Sequence, residues 1–279
     1  MNPTRKSGLK SITIFFLSLI MLTALCGCAR QNNLDQEKPA VKKLIAGSDE
    51  YEPYVYMDQQ GGYAGIDVEI AKEAGRRIGY EIEFIKIKWS EKDNDLAQGK
   101  IDCAWGSFSM NGREDLYQWA GPYLTSRQVV AVRADSKIYR LSDLEGREVA
   151  VEATTQPEKM FLEHTADEIP AVGQVYSFIK PEEAFAALRK GYVDACAGHE
   201  MLLMSYCKNA KEHYRILNQP LMISDLGVAF SKEYDSTVVE TLSAALAEMK
   251  EDGTIDRIVE RYRNMLTEES MAELTTEGE

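Results

Sequence analysis

An α/β chain built from two similar lobes is predicted by two observations. From Lys42 onward, strand-like and helix-like segments alternate, the pattern of parallel sheets covered on both faces. Within that rhythm one stretch occurs twice. Leu96-Ala-Gln-Gly99-Lys-Ile-Asp102-Cys-Ala-Trp-Gly106 is echoed by Leu188-Arg-Lys-Gly191-Tyr-Val-Asp194-Ala-Cys-Ala-Gly198, with Leu, Gly, Asp and Gly at a constant offset of 92 residues. Each copy reads as a helix end, a glycine stop, a turn into a buried strand and a glycine at the strand exit. The alternative is a chance match of four positions.

The elements follow in order. Residues 44–47 read as a strand, and 67–78 as a helix with Asp67 as its cap and Gly79 as its stop. Residues 81–88 alternate as a strand, 91–98 form a short helix, and 101–105 a buried strand. The same order resumes with strands at 129–132 and 148–151, a helix from Gln156, a strand at 174–176, a helix from Glu182 and a strand at 193–197. The chain then returns to the first lobe. A strand at 227–230 precedes a helix over 236–249, whose Val238, Leu242, Ala245, Leu246 and Met249 recur at helical spacing. Asp252-Gly253 breaks it, and a second helix runs through Ile255, Ile258, Val259 and Tyr262. In open α/β sheets, ligands bind beyond the carboxyl ends of the strands. Residues 106–113 and 198–200, which follow the two echoed strands, are therefore expected to flank one cleft.

Composition bounds the function. The chain has 279 residues, 44% hydrophobic and 28% charged, a globular mix long enough for two lobes of about 100 residues each. Its net charge of -13 argues against nucleic-acid binding, which needs a basic surface; the plain alternative to an acidic-partner role is a solvated surface. Residues 1–10 are basic, and 11–25 are an apolar run of 15 residues, short for a membrane span but right for a signal-peptide core. Leu25-Cys26-Gly27-Cys28 then resembles the lipobox of bacterial lipoproteins, with Gly27 as the small residue before a lipidated Cys28. An ordinary cleaved signal is the alternative. Acyl chains on Cys28 would anchor the protein to the membrane. Residues 28–42 read as a flexible tether, and 265–279 as a frayed acidic tail. Cys103, Cys196 and Cys207 remain, an odd number that allows at most one internal bridge; Cys103 and Cys196 sit in apolar runs and read as buried free thiols. The spacings of Cys and His match no metal site, and no cofactor is expected.

Four stretches then carry a family resemblance: Tyr51-Glu-Pro53-Tyr54 with Gly62-Tyr-Ala-Gly65-Ile-Asp67; Gly99-Lys-Ile-Asp102 through Ser107-Phe-Ser109 and Arg113 to Gly121-Pro122-Tyr123; Ala153-Thr154-Thr155-Gln156; and Gly191-Tyr-Val-Asp194-Ala195. Over residues 43–262 the chain resembles the family 3 bacterial extracellular solute-binding proteins of the polar amino-acid type. The resemblance implies a two-lobe, type II periplasmic-binding-protein-like fold with two crossing strands, near 124–127 and 222–226. Lobe 1 would comprise 43–124 and 226–264, and lobe 2 would comprise 125–225. It further implies a monomer on the extracytoplasmic face of the membrane that captures a small ligand, expected to be an amino acid, and passes it to an ABC permease. A sensor feeding a receptor or kinase, or a dehydratase-like enzyme on the same fold, are the alternatives; no catalytic triad, P-loop or metal spacing favours an enzyme.

The resemblance and the residues together name a site. Arg113 presents a planar fork suited to a carboxylate and matches the family's carboxylate-binding Arg; a surface Arg paired with Glu114 or Asp115 is the bland reading. The family spaces Ser-x-Thr-x-x-Arg here, whereas this chain has Ser109-Met-Asn111-Gly-Arg113, one residue shorter. Thr155 and Glu158 form a capping-box pattern, and the helix N-terminus they open would attract an anion. Thr154 and Thr155 match ligand-contacting positions. Tyr51, Tyr54 and Phe108 can pack on a ligand side chain, while Trp105 reads equally as core; Gly106, Ser107 and Ser109 line the strand exit. His199 stands where the family places an Asp that binds the α-ammonium, and imidazole is a poor ammonium partner. Either Glu200 supplies the charge, the reading preferred here, or the ligand is not an ordinary α-amino acid.

Overall fold

A computed structural model describes residues 42–164, 168–211 and 213–276, with side chains as far as Leu266. The expected signal peptide, Cys28 and all of the tether but Lys42 lie outside the described residues. Among the described residues no helix is long and apolar enough to cross a membrane.

The strands are β1 (Lys42–Ser48), β2 (Tyr56–Met57), β3 (Tyr63–Ala64), β4 (Tyr80–Lys86), β5 (Cys103–Ala104), β6 (Gln118–Arg133), β7 (Glu148–Glu152), β8 (Gln174–Phe178), β9 (Ala195–His199), β10 (Tyr214–Ile216) and β11 (Met222–Phe230). The helices are α1 (Ile66–Ile78), α2 (Lys92–Ala97), α3 (Gln156–Glu163), α4 (Pro181–Arg189), α5 (Glu200–Asn209), α6 (Ser236–Glu251) and α7 (Thr254–Thr276). One sheet runs in the order β4-β1-β5-β11-β6-β9-β7-β8, with β10 added to β6; β2 and β3 form a separate hairpin. Strands β4, β1 and β5 are mutually parallel, as are β8, β7 and β9. Between these two α/β halves lie β6 and β11, antiparallel to each other from Gln118↔Phe230 to Gln128↔Met222. Farther along, β6 pairs with β9 and β11 pairs with β5, so the two long strands belong to both halves.

The first half buries Leu44, Ile70, Phe84, Trp105, Tyr123 and Phe230 against Leu242 and Leu246 of α6 and Ile255 of α7. The second half is covered on both faces: Val130, Val149 and Val151 pack with Leu141, Leu144 and Phe161 on one side, while Ala131 and Ala150 meet Phe185, Leu188 and Leu203 on the other. Each such large side chain taken from water stabilises by about 1.5–3 kcal/mol, which is why alternating apolar runs sort into these layers. Cys103, Cys196 and Cys207 are free thiols, the first two buried.

The echoed stretches adopt the same structure. Gly99 and Gly191 stop α2 and α4 with φ of 66° and 72°, a left-handed conformation that favours glycine. Asp102 accepts a hydrogen bond from the Ile45 N–H at 2.6 Å, and its own N–H donates to the Ile45 carbonyl at 2.8 Å. Asp194 does the same with Glu148, at 3.0 and 2.8 Å. Each aspartate thus stitches its strand to the start of a parallel neighbour.

Several expectations are corrected. Asp67 is not a cap: α1 begins at Ile66 with Gly65 as N-cap, and a Cβ at Gly65 would lie 2.2 Å from the Tyr54 carbonyl oxygen. Asp67 is instead fully buried and accepts a 2.6 Å hydrogen bond from the Ser107 N–H. Val239 rather than Val238 is fully buried in α6. Helix α7 continues to Thr276, past the point where a frayed tail was expected. Helix α5 and the full length of β6 had no separate sequence reading.

Candidate functional site

The carboxyl ends of β1, β5, β7 and β9 open onto one cleft between the halves. The first half contributes Asp49, Tyr51, Trp89 and the loop Gly106-Ser107-Phe108-Ser109 with Arg113; the second contributes Glu152, Thr155, Gln156, Gly198 and His199, and Gln128 projects from β6. Polar side chains join the two walls. Arg113 Nη2 donates to the Thr154 carbonyl at 2.9 Å, Lys92 Nζ lies 3.5 Å from Thr154 Oγ1, and the Gln156 amide donates to the Asn111 carbonyl. Ser107 and Thr154 hold left-handed backbone, with φ of 53° and 63°. For a β-branched Thr this is a genuine outlier, and it turns the Thr154 carbonyl toward Arg113.

The cleft is electrostatically divided. On one side Trp89 stands edge-on to Phe108, and both rings lie beneath Lys92 at 5.3 and 5.5 Å; Arg113 sits 5.1 Å above Phe108. Arg113 spends two donors on the carbonyls of Ser109 and Thr154, and among the described residues it forms no ion pair with a carboxylate, neither Glu114 nor Asp115. Burial lowers the pKa of both Lys92 and Arg113, the cost of cations held out of water without a full counter-charge. On the other side, burial pushes Glu152 well above the usual carboxylate range, with the neighbouring Asp49 adding to the effect, and burial raises Asp49 too. Burial likewise takes His199 down to about 3, so its imidazole is neutral at physiological pH. Its ring nitrogens meet Gln128 Nε2 at 2.9 Å and Ser126 Oγ at 2.9 Å. Among the described residues, four buried side-chain atoms facing this space have no hydrogen-bond partner: Ser107 Oγ, Ser109 Oγ, Gln128 Oε1 and Glu152 Oε1. Buried polar atoms are normally satisfied, so four orphans in one cleft mark places for a polar ligand.

Residues 44–265 match the bacterial extracellular solute-binding proteins, family 3. The chain belongs to that family. Among relatives, the L-cystine-binding protein TcyA of Bacillus subtilis (strain 168) is 26% identical over 264 residues, covering 90% of this chain and 96% of TcyA. Of solved structures, an ancestral arginine-binding protein bound to arginine is 28% identical with a TM-score of 0.71, covering 79% of this chain and 97% of that one. An ancestral amino acid-binding protein that is a precursor of cyclohexadienyl dehydratase is 26% identical with a TM-score of 0.69, covering 79% and 94%. The two-lobe α/β fold is common to this solute-binding family and the present chain.

Of the residues that sequence reading placed in the site, the cleft of this solute-binding protein gathers Tyr51, Gly106, Ser107, Phe108, Ser109, Arg113, Thr155 and His199. Tyr54 lies behind the wall, its hydroxyl 3.2 Å from Ser126 Oγ. Thr154 meets Arg113 and Lys92 at the edge. Glu200 begins α5 and is ion-paired with Arg127, away from the lining. Trp105 packs in the core between Phe84 and Tyr123. The capping-box pattern is rearranged: Thr155 is the N-cap, but its hydroxyl donates to the Glu152 carbonyl at 2.7 Å, and Glu158 accepts from the Thr154 N–H at 2.6 Å. Asp49, Glu152, Trp89, Lys92 and Gln128 went unnoticed in the sequence, and Gln156 was read as a helix start and not as a site residue. For Asp49 and Glu152 a signal existed, since each is an acid at the carboxyl end of a strand.

Proposed function

We propose that this protein is the binding component of an importer. It captures an amino acid in the cleft and delivers it to an ABC permease, held at the extracytoplasmic membrane face by lipid on Cys28 after removal of residues 1–27. The observation that carries the reading is Arg113, a half-buried guanidinium in a family-matched cleft that pairs with no carboxylate among the described residues. Free donors of that fork would take the ligand carboxylate, with Ser107 and Ser109 hydroxyls beside it. Lobe 1 (43–124 and 226–264) and lobe 2 (125–225) would hinge about β6 and β11, and a ligand that touches both walls would favour the closed form in proportion to its preference for it. The reading is of a monomeric binding protein that releases its ligand unchanged.

Thermal unfolding of the full-length chain in detergent, against the twenty amino acids, L-cystine, L-ornithine and small dicarboxylates, tests this. A ligand at a hundred times its dissociation constant adds about 2.7 kcal/mol of stability. At least one amino acid is expected to raise the midpoint in the native chain and not in Arg113→Ala. No shift with any amino acid would overturn the reading, and conversion of the bound compound to product would replace it with an enzyme.

A further inference from the structure

Two cations of the first half share one aromatic floor. Lys92 opens α2 and is only 3% exposed, a burial that lysine rarely tolerates without a partner. Its Nζ lies 5.3 Å over the Trp89 ring and 5.5 Å over the Phe108 ring, and the Arg113 guanidinium lies 5.1 Å over the same Phe108. Both rings line the cleft. The two cations then converge on Thr154 of the opposite wall. Arg113 Nη2 donates to its carbonyl at 2.9 Å, and Lys92 Nζ stands 3.5 Å from its hydroxyl. Thr154 holds left-handed backbone at this meeting point, with φ of 63°, and strain of that kind collects at ligand clamps.

Neither cation is fully neutralised by the protein. Among the described residues Arg113 pairs with no carboxylate, and the carboxylate that Lys92 reaches is Asp93, at 3.9 Å. The Asp93 side chain is 65% exposed and already accepts the Tyr117 hydroxyl. Asp49 and Glu152 line the same cleft, yet among the described residues Lys92 forms no ion pair with either. An ammonium group has three donors, and the long contact to Thr154 occupies one. In the loop that carries Phe108, the Ser107 and Ser109 hydroxyls are buried without partners among the described residues. An amino acid with an uncharged side chain brings one carboxylate to this place. It would leave a second positive charge uncompensated in a site removed from water, which is costly.

We propose that Lys92 is a specificity-determining residue that takes a second oxyanion, carried on the ligand's side chain, beside the α-carboxylate held by Arg113. The ligand class is then an amino acid with an acidic side chain. This rests on the amino-acid reading above and narrows it. The ring faces of Trp89 and Phe108 hold the empty cation by attraction to their quadrupoles, more weakly than a hydrogen-bonded carboxylate would, so an incoming oxyanion does not have to break a tight ion pair. An amide in place of the oxyanion would be a poor substitute, because it brings no charge to a buried cation.

Titration calorimetry on the full-length chain in detergent tests this, comparing L-glutamate with L-glutamine and L-aspartate with L-asparagine in the native chain, Lys92→Met, Lys92→Arg and Arg113→Ala. In at least one pair the native chain is expected to bind the acid at least about 30-fold more tightly than its amide. Lys92→Met is expected to erase that preference while binding the amide as before, Lys92→Arg to keep it, and Arg113→Ala to weaken acid and amide alike. Equal losses for acid and amide in Lys92→Met would overturn the proposal, by making Lys92 either structural or a second donor to the same carboxylate. A native chain that binds amino acids, but none whose side chain carries an oxyanion, would overturn it too and leave the amino-acid reading standing. If no amino acid binds, glutarate and succinate separate the two readings by thermal unfolding. A midpoint raised in the native chain but not in Lys92→Met would keep the two-cation subsite without the amino acid, and no shift would end both.

Discussion

Two copies of one strand–turn unit sit on opposite sides of the cleft, and their likeness ends at the strand exit. In both, a left-handed glycine stops a helix and an aspartate clamps the neighbouring strand through two hydrogen bonds. Past Gly106 the first copy continues as a loop that drops Ser107, Phe108 and Ser109 into the cleft, held by buried Asp67 at the Ser107 N–H. Past Gly198 the second copy turns at once into α5, with His199 as its N-cap and Gln128 as its strand partner. Because framework and exit are separate, the same unit serves both lobes while each exit is free to carry its own chemistry.

The largest test of that difference is Asp67, which holds the first copy's exit at the Ser107 N–H, where the second copy has the Tyr51 hydroxyl at the His199 N–H. Burial raises its pKa to about 7. A carboxyl whose folded pKa lies above its unfolded value of 3.8 favours the folded state fully below pH 4 and loses that contribution as pH rises toward 7. Asp67→Asn keeps an oxygen for the Ser107 N–H and does not ionise. The variant is therefore expected to match the native chain near pH 4 and to exceed its stability by on the order of 4 kcal/mol above pH 7. Urea denaturation across that range checks it, and parallel pH profiles for the two chains would break the account.

Next come the exit glycines. A Cβ at Gly106 would lie 2.2 Å from Ser48 Oγ, a fully buried group, whereas at Gly198 the nearest atoms are ordinary contacts of 3.6 Å to Leu202 and 3.7 Å to Tyr51. Gly106→Ala is expected to cost about 1–3 kcal/mol by overpacking and Gly198→Ala less than about 0.5 kcal/mol, read as shifts in denaturation midpoint. Equal costs would show that the exits are packed alike after all.

The smallest contrast is in the clamps. Asp102 also accepts from the Tyr234 hydroxyl at 3.2 Å, whereas Asp194 Oδ2 accepts from the Glu148 N–H at the longer distance of 3.0 Å. Asp102→Ala is expected to cost about 2 kcal/mol and Asp194→Ala about 1 kcal/mol. The reverse order would locate the tighter clamp in the second copy.

Much of this architecture was legible in advance. The four-residue echo anticipated the shared unit because glycine stops and strand clamps are local devices that need particular residues at particular spacings. Arg113 and the Ser107–Ser109 loop were legible for a similar reason, since they follow a strand end, where any α/β sheet presents its ligand; Tyr51 came from the family resemblance. Asp67 was misread because the same acid suits a helix cap or a buried acceptor, and only the position of the Ser107 amide distinguishes them. Glu200 was preferred as the ammonium partner by its place next to His199, but adjacency in the chain does not set direction: at the start of α5 it reaches Arg127.

By itself the sequence determined the alternating α/β order, the repeated unit and the glycine and aspartate positions that shape it, since these depend on contacts between near neighbours. Only the tertiary structure decided which charges share the cleft. Asp49 and Glu152 are about a hundred residues apart along the chain, and that both line one cleft follows from the packing of one half against the other, which no local pattern encodes.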